Sequence, residues 1–129
     1  MKGYLEDLYI LAFDHRGTIT KGLLGVDGRE PTKDEANKVS EMKQVIFDGF
    51  LKAKESGITG GEPAILVDET FGIEVQKKAK EMKIKFAAPV EKSGQKVFDF
   101  EYGDQFGEKI NEIGADFVKI LVRWNPEDE

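Results

Sequence analysis

The sequence predicts an α/β domain built on a parallel sheet, and two observations carry that prediction. Short apolar runs alternate four times with helix-patterned or loop-like segments, and charged residues gather where each apolar run stops. Alternation of this kind means parallel strands joined by right-handed crossovers, in a doubly wound sheet or a barrel. At 129 residues the chain suits one domain with one core, spanning 1–129, and is too short for two.

The first element is Leu8-Tyr9-Ile10-Leu11-Ala12-Phe13, an apolar run that stops at Asp14-His15-Arg16-Gly17. Continuous apolarity suits a strand covered on both faces. A glycine-rich loop is expected from there through Gly28. Thr32-Lys33-Asp34-Glu35 then reads as a capping box, with Thr32 as N-cap and Glu35 reaching back to it. Val39, Met42, Ile46 and Phe50 follow at helical spacing, and Gly57 marks the stop. Ala64-Ile65-Leu66-Val67 is the second strand, ending at Asp68-Glu69. A helix from about Phe71 to Met82 carries Phe71, Val75, Ala79 and Met82 on one stripe. Phe86–Val90 forms the third strand, ending at Glu91-Lys92-Ser93-Gly94. Asp104 is the expected N-cap of a helix bearing Phe106, Ile110 and Ile113, closed by Gly114. Phe117–Val122 forms the fourth strand, ending at Arg123-Trp124-Asn125-Pro126. The expected inventory is four strands and three helices.

Composition narrows the function classes. Forty per cent apolar residues, with nine Phe, three Tyr and one Trp, suit a globular chain. No run approaches the ~20 apolar residues of a membrane span, so no membrane partner is expected. The stretch MKGYLEDLYILAF has acidic residues ahead of its apolar part and no small-residue cleavage site, which makes a cytoplasmic location the default expectation. The absence of cysteine excludes disulfides, thiolate nucleophiles and cysteine-based metal sites, and a single histidine, His15, excludes a multi-histidine cage. No metal is therefore expected. The chain holds no GxGxxG, Walker-type or G-x-S-x-G motif, and Gly22-Leu23-Leu24-Gly25 lacks the spacing of a dinucleotide fingerprint, so no cofactor is expected. A net charge of -6 argues against nucleic acid as a partner.

The candidate site lies at the C-terminal strand ends, the edge where both architectures hold their ligands. Asp14, His15 and Arg16 place a carboxylate, an imidazole and a guanidinium directly after a buried strand. Together they can orient a hydroxylated anion, with Arg16 available for a phosphate; the plainer reading is a salt-bridged rim. Lys119 lies inside an apolar strand between Val118 and Ile120, where an unpaired ammonium is costly. It can neutralise a phosphate, form a Schiff base, or pair structurally with Asp68, Glu69 or Glu91. Asp68-Glu69 and Glu91-Lys92 can act as acid/base groups, as partners of Lys119, or as solvated strand ends. Asp14, Glu91 and Lys119 are thus the candidates for chemistry. His15, Arg16, Asp68, Glu69, Lys92 and Arg123 are the candidates for binding a phosphorylated sugar or other small anion.

Four blocks carry a family resemblance. LAFDHRG at 11–17, PAILVDETFG at 63–72, APVEKSGQ at 88–95 and ADFVKILVRWNPE at 115–127 resemble, in that order, the tagatose-1,6-bisphosphate aldolase family. They are still more similar to the uncharacterised aldolase-like domain fused to 5-dehydro-2-deoxygluconokinase in myo-inositol catabolism. The resemblance implies a (βα) barrel and class I aldol cleavage of a ketose phosphate through a Schiff-base lysine. Under it Asp14 and Arg16 match the first-strand site residues, Asp68 and Glu69 the second, Glu91 and Lys92 the third, and Lys119 the lysine of the fourth. The imine-forming lysine of the family lies on a later strand, which makes Lys119 a neighbouring site lysine. A complete barrel takes roughly 250 residues, so the expected fold is its N-terminal half, a parallel (βα) half-barrel that is incomplete or inactive alone. Open strand edges and inner faces then favour a homodimer or pairing with a complementary half-barrel. The alternative is a sugar-phosphate-binding module without carbon–carbon chemistry.

Overall fold

The computed structural model describes residues 3–58 and 60–127; the N-terminal stretch read above begins outside them, at Met1 and Lys2. In chain order it comprises β1 (Leu8–Ala12), α1 (Gly17–Leu24), α2 (Lys33–Glu55), β2 (Glu62–Leu66), α3 (Glu69–Glu81) and β3 (Phe86–Pro89). A 3-10 turn (Gly103–Gln105) then runs into α4 (Phe106–Ile113), and β4 (Phe117–Lys119) follows. The strands are all parallel and lie side by side in chain order, β1-β2-β3-β4. The protein is α/β with a four-stranded parallel sheet. Its order never reverses, so it lacks the switch point at which a doubly wound sheet opens its crevice.

Register sets the two faces. Leu11, Ile65 and Phe86 are aligned across β1, β2 and β3. Ile65 and Phe86 join Phe13, Val67 and Ile84 in one buried cluster with Phe47 and Phe50 of α2 and Val75 and Ala79 of α3. Each Val, Ile and Phe of that cluster contributes about 1.5–3 kcal/mol on full burial. Successive side chains alternate across a strand, so the next row, Ala12, Leu66, Ala87 and Phe117, points away from the helices. Lys119, paired with Pro89, lies two residues beyond Phe117 on that same side.

Several elements differ from the sequence reading. The expected glycine-rich loop after β1 contains α1, which buries Thr20 and ends on Gly25 in the left-handed conformation at φ 68°. Gly17, Gly22 and two β-branched threonines lower its helix propensity, and the turn forms through packing and the Gly25 cap. The capping box of α2 is present as expected: Glu35 N–H donates to Thr32, and Thr32 N–H donates to the Glu35 carboxylate at 2.8 Å. Its buried stripe, however, is Val39, Lys43, Phe47 and Phe50; Met42 and Ile46 lie on its flank. Phe71, Val75 and Ala79 of α3 are buried as expected, while Met82, just past the helix end, is exposed. Asp104 makes no side-chain cap, because the chain enters α4 through the 3-10 turn in which it sits.

The fourth strand stops at Lys119, three residues short of the expected end. Its last rung is Val90 N–H to the Lys119 carbonyl at 3.1 Å. Beyond it the chain after β3 turns away into an antiparallel bridge between Glu91 and Phe100, so Ile120–Val122 have no ladder to join. β1 and β4 are the two edges of the sheet, so β1, expected from its apolar run to be covered on both faces, is an exposed edge strand. Tyr9, Ile10 and Leu11 on β1 are 41–49% exposed, and Ile120, Leu121 and Val122 after β4 are 49–60% exposed. Among the described residues no helix is long and apolar enough to cross a membrane.

Candidate functional site

Three strand ends converge on one ammonium group. Lys119 Nζ lies 2.6 Å from Glu91 Oε1 and 3.1 Å from Asp14 Oδ2. Asp14 leaves β1, Glu91 leaves β3 and Lys119 ends β4, so a parallel sheet is what brings residues 28 and 105 positions apart to one point. Arg16, also from the β1 end, crosses to the same place. It donates to the Glu91 carbonyl at 3.0 Å and lies 3.7 Å from Glu91 Oε1 and 3.4 Å from Glu101 Oε2.

These groups border an open cavity of about 510 Å³ at the C-terminal edge of the sheet. Seven of the nine residues picked from sequence line it: Asp14, His15, Arg16, Glu91, Lys92, Lys119 and Arg123. The chain between Lys92 and Asp99 forms its opposite wall, pinned by the Lys92–Asp99 ion pair and by the Lys92 N–H bond to the Asp99 carbonyl at 2.9 Å. Phe98 of that wall packs edge-on against Phe100, which stacks on Phe106 of α4.

Two sequence candidates stand elsewhere. Asp68 is buried, with its carboxylate shared between the Lys43 ammonium and the Phe71 N–H at 2.8 Å, where it caps α3. Glu69 accepts from the Tyr102 hydroxyl and lies 3.2 Å from Lys109 Nζ. Burial, and then the hydrogen bond to Glu69, raise the Tyr102 hydroxyl well above its ordinary pKa. Neither Asp68 nor Glu69 borders the cavity. The partner of Lys119 is Glu91, one of the three acids considered, joined by Asp14.

The electrostatics favour a charged Lys119. Burial alone lowers a lysine pKa, but the hydrogen bonds to Glu91 and Asp14 outweigh it and hold the ammonium above the ordinary range. The group is therefore a hydrogen-bond donor to an oxygen, whereas imine formation needs the neutral amine. Glu91 is 6% exposed, and its Oε2 is buried with no hydrogen-bond partner among the described residues. Among the described residues no group of three or more His, Cys, Asp or Glu could hold a metal ion.

Lys43 escaped the sequence reading. Its signal is a lysine standing between Val39 and Phe47 at four-residue spacing on both sides, the centre of an otherwise apolar stripe. Glu101 also escaped it. Nothing near Glu101 in the sequence points to Arg16, because the contact depends on the chain folding back after Asp99.

The model of the family described as "Uncharacterized protein conserved in bacteria (DUF2090)" matches residues 1–129, and the chain belongs to that family. No curated protein and no solved structure matches it.

Proposed function

We propose that this DUF2090 chain forms the N-terminal half of an aldolase-like (βα) barrel in the cytoplasm, and that its strand-end groove binds a phosphorylated sugar. The observation that carries the reading is the meeting of Asp14, Glu91 and Lys119 from three parallel strand ends on one cavity. Strands in unbroken chain order fit consecutive units of a barrel, whose sites lie at this edge. The resemblance of the four sequence blocks adds the substrate class.

In this reading Lys119 donates a hydrogen bond to a carbonyl or hydroxyl oxygen of the sugar, and Glu91 and Asp14 keep it protonated. Arg16, Lys92 and Arg123 stand on the same rim, where a phosphate gains charge-assisted bonds. Lys119 is a binding and orienting group, and the imine of a class I aldolase forms on another lysine. The raised pKa of Lys119 equally favours the second reading, a groove that binds sugar phosphate without cleaving it. The exposed apolar edges Tyr9–Leu11 and Ile120–Val122 support completion of the barrel by a second copy or a complementary half-barrel.

The test is titration of the labelled chain with dihydroxyacetone phosphate, inorganic phosphate and dihydroxyacetone, followed by borohydride. The expected result is shifts of Asp14, Glu91 and Lys119 signals with the sugar phosphate, weaker ones with either fragment alone, and no covalent label on Lys119. Unperturbed groove signals with all three ligands would remove the binding function. A stoichiometric adduct on Lys119 would make it the imine-forming lysine and reverse its role.

A further inference from the structure

We propose that Lys43 is a positioning residue of the strand-end groove: by gripping the backbone on both sides of Asp14, it aims the Asp14 carboxylate at Lys119. The inference rests on reading the groove as a binding site. Lys43 lies on α2, on the far side of the sheet from the cavity, and does not border it. Its Nζ donates to the Phe13 carbonyl at 2.6 Å and to the His15 carbonyl at 2.9 Å, and it pairs with Asp68. Phe13 and His15 are the two neighbours of Asp14.

The geometry follows from alternation. Phe13 faces the helices and belongs to the core cluster, so Asp14 projects to the opposite side. There its Oδ2 stands 3.1 Å from Lys119 Nζ. Beyond Ala12 the β1 ladder ends, apart from one bond from the Phe13 N–H to the Leu66 carbonyl. The Phe13 and His15 carbonyls would otherwise be free at the point where strand becomes loop. Lys43 takes both, and Asp68 ties the same ammonium to the first turn of α3 through the Phe71 N–H. One buried group thus joins β1, α2 and α3 directly behind the groove.

Stability does not account for a lysine here. Replacing a buried ion pair by apolar residues of similar volume is often neutral or stabilising, and the neighbours Val39, Phe47 and Phe50 already form an apolar stripe. The property an apolar residue lacks is the two bonds to the carbonyls that flank Asp14. The Lys43 side chain is 0% exposed and that of Asp68 1%, so no solvent or ligand contact competes for that role.

The test is the double variant Lys43→Met/Asp68→Ser, which removes both charges together and leaves a serine able to cap α3. Its fold is checked by circular dichroism, and the Lys119 ammonium is then titrated by NMR in the variant and the wild type. Glu91 and Arg16 remain in place around Lys119 in both. The expected result is a folded variant whose Lys119 titrates lower than in the wild type, because Asp14 no longer holds its aim. Dihydroxyacetone phosphate should bind roughly tenfold more weakly, about the loss of one well-aimed hydrogen bond to a charged group. A folded variant with unchanged Lys119 titration overturns the proposal.

If the variant does not fold, the Asp14 side-chain couplings of the wild type decide. One fixed χ1 rotamer supports the clamp, and rotamer averaging overturns it. If the wild type binds no sugar phosphate, the functional reading fails, and the Lys119 titration still judges the clamp on its own.

Discussion

The protein carries two lysine–carboxylate clusters at the same end of its sheet, and they differ in how completely they are satisfied. Around Lys43 everything is engaged. The ammonium has three acceptors, both oxygens of Asp68 are used, and the two side chains are 0% and 1% exposed. Around Lys119 the side chains are 31%, 8% and 16% exposed for Lys119, Glu91 and Asp14, and the cavity opens on them. The same residue types thus serve two ends. The closed network spends its hydrogen bonds on fixing the backbone that carries Asp14, while the open one faces the cavity.

The largest expected effect breaks the closed cluster. Lys43→Ala strands Asp68 as a lone buried charge and is expected to cost about 3–5 kcal/mol in urea unfolding. A loss no greater than that of a surface pair would erase the distinction between the clusters. Gly72→Ala acts on the same packed side. A β-carbon at Gly72 would stand 2.3 Å from Val67 Cγ2, with the Lys43 side chain 3.7 Å away. The expected loss is about 1–3 kcal/mol, from forcing α3 off β2. An unchanged melting temperature would show that α3 shifts freely.

The open cluster should respond far less in stability and far more in chemistry. Lys119→Ala is expected to lower stability by about 1 kcal/mol or less, because the pair is partly solvated and Arg16 remains beside Glu91. The folded pKa of Lys119 is raised above 10.5, so its contribution is fully present below that value and is lost as pH rises through the folded pKa. The stability gap between wild type and Lys119→Ala should therefore hold from neutral pH into mild alkali and close in strong alkali. A gap that widens there would reverse the sign of the interaction.

The smallest effect is at the surface pair that braces the α2 capping box. Two hydrogen bonds from Arg29, each at 2.8 Å, and then the Thr32 N–H hold the Glu35 carboxyl down to about 2. A depressed carboxyl contributes above its ordinary 4.5 and loses that contribution as pH falls toward the folded value. Arg29→Ala should move the Glu35 titration back toward 4.5, read by carbon NMR, and leave the neutral-pH melting temperature nearly unchanged. No movement would assign the depression to the cap alone.

The two clusters were unequally legible in the sequence. Asp14, Arg16, Glu91 and Lys119 show themselves because each is a charged residue at or inside the end of an apolar run, and in a parallel sheet such ends meet. Lys43 hides because a lysine in a long helix ordinarily points to water. Only the distance to Asp68 and to two strand-end carbonyls shows that this one does not. The same long-range dependence explains Asp68, whose place after a strand resembles that of a ligand-binding residue but whose carboxylate is taken up by Lys43 and the first turn of α3.

By itself the sequence determined the α/β class, the succession of strands and most helices along the chain, the α2 capping box and the strand-end location of the charged residues. These depend on periodicity and on contacts within a few positions. The tertiary structure alone decided that the strands lie in unbroken order, that α1 forms in a glycine-rich segment, and that β4 stops at Lys119. It also decided which of two lysine–carboxylate clusters is sealed and which stays open. Each of those outcomes depends on a partner far away in the chain: a neighbouring strand that ends, a cap that packs, or an ammonium that finds its acceptors only once β1, α2 and α3 have come together.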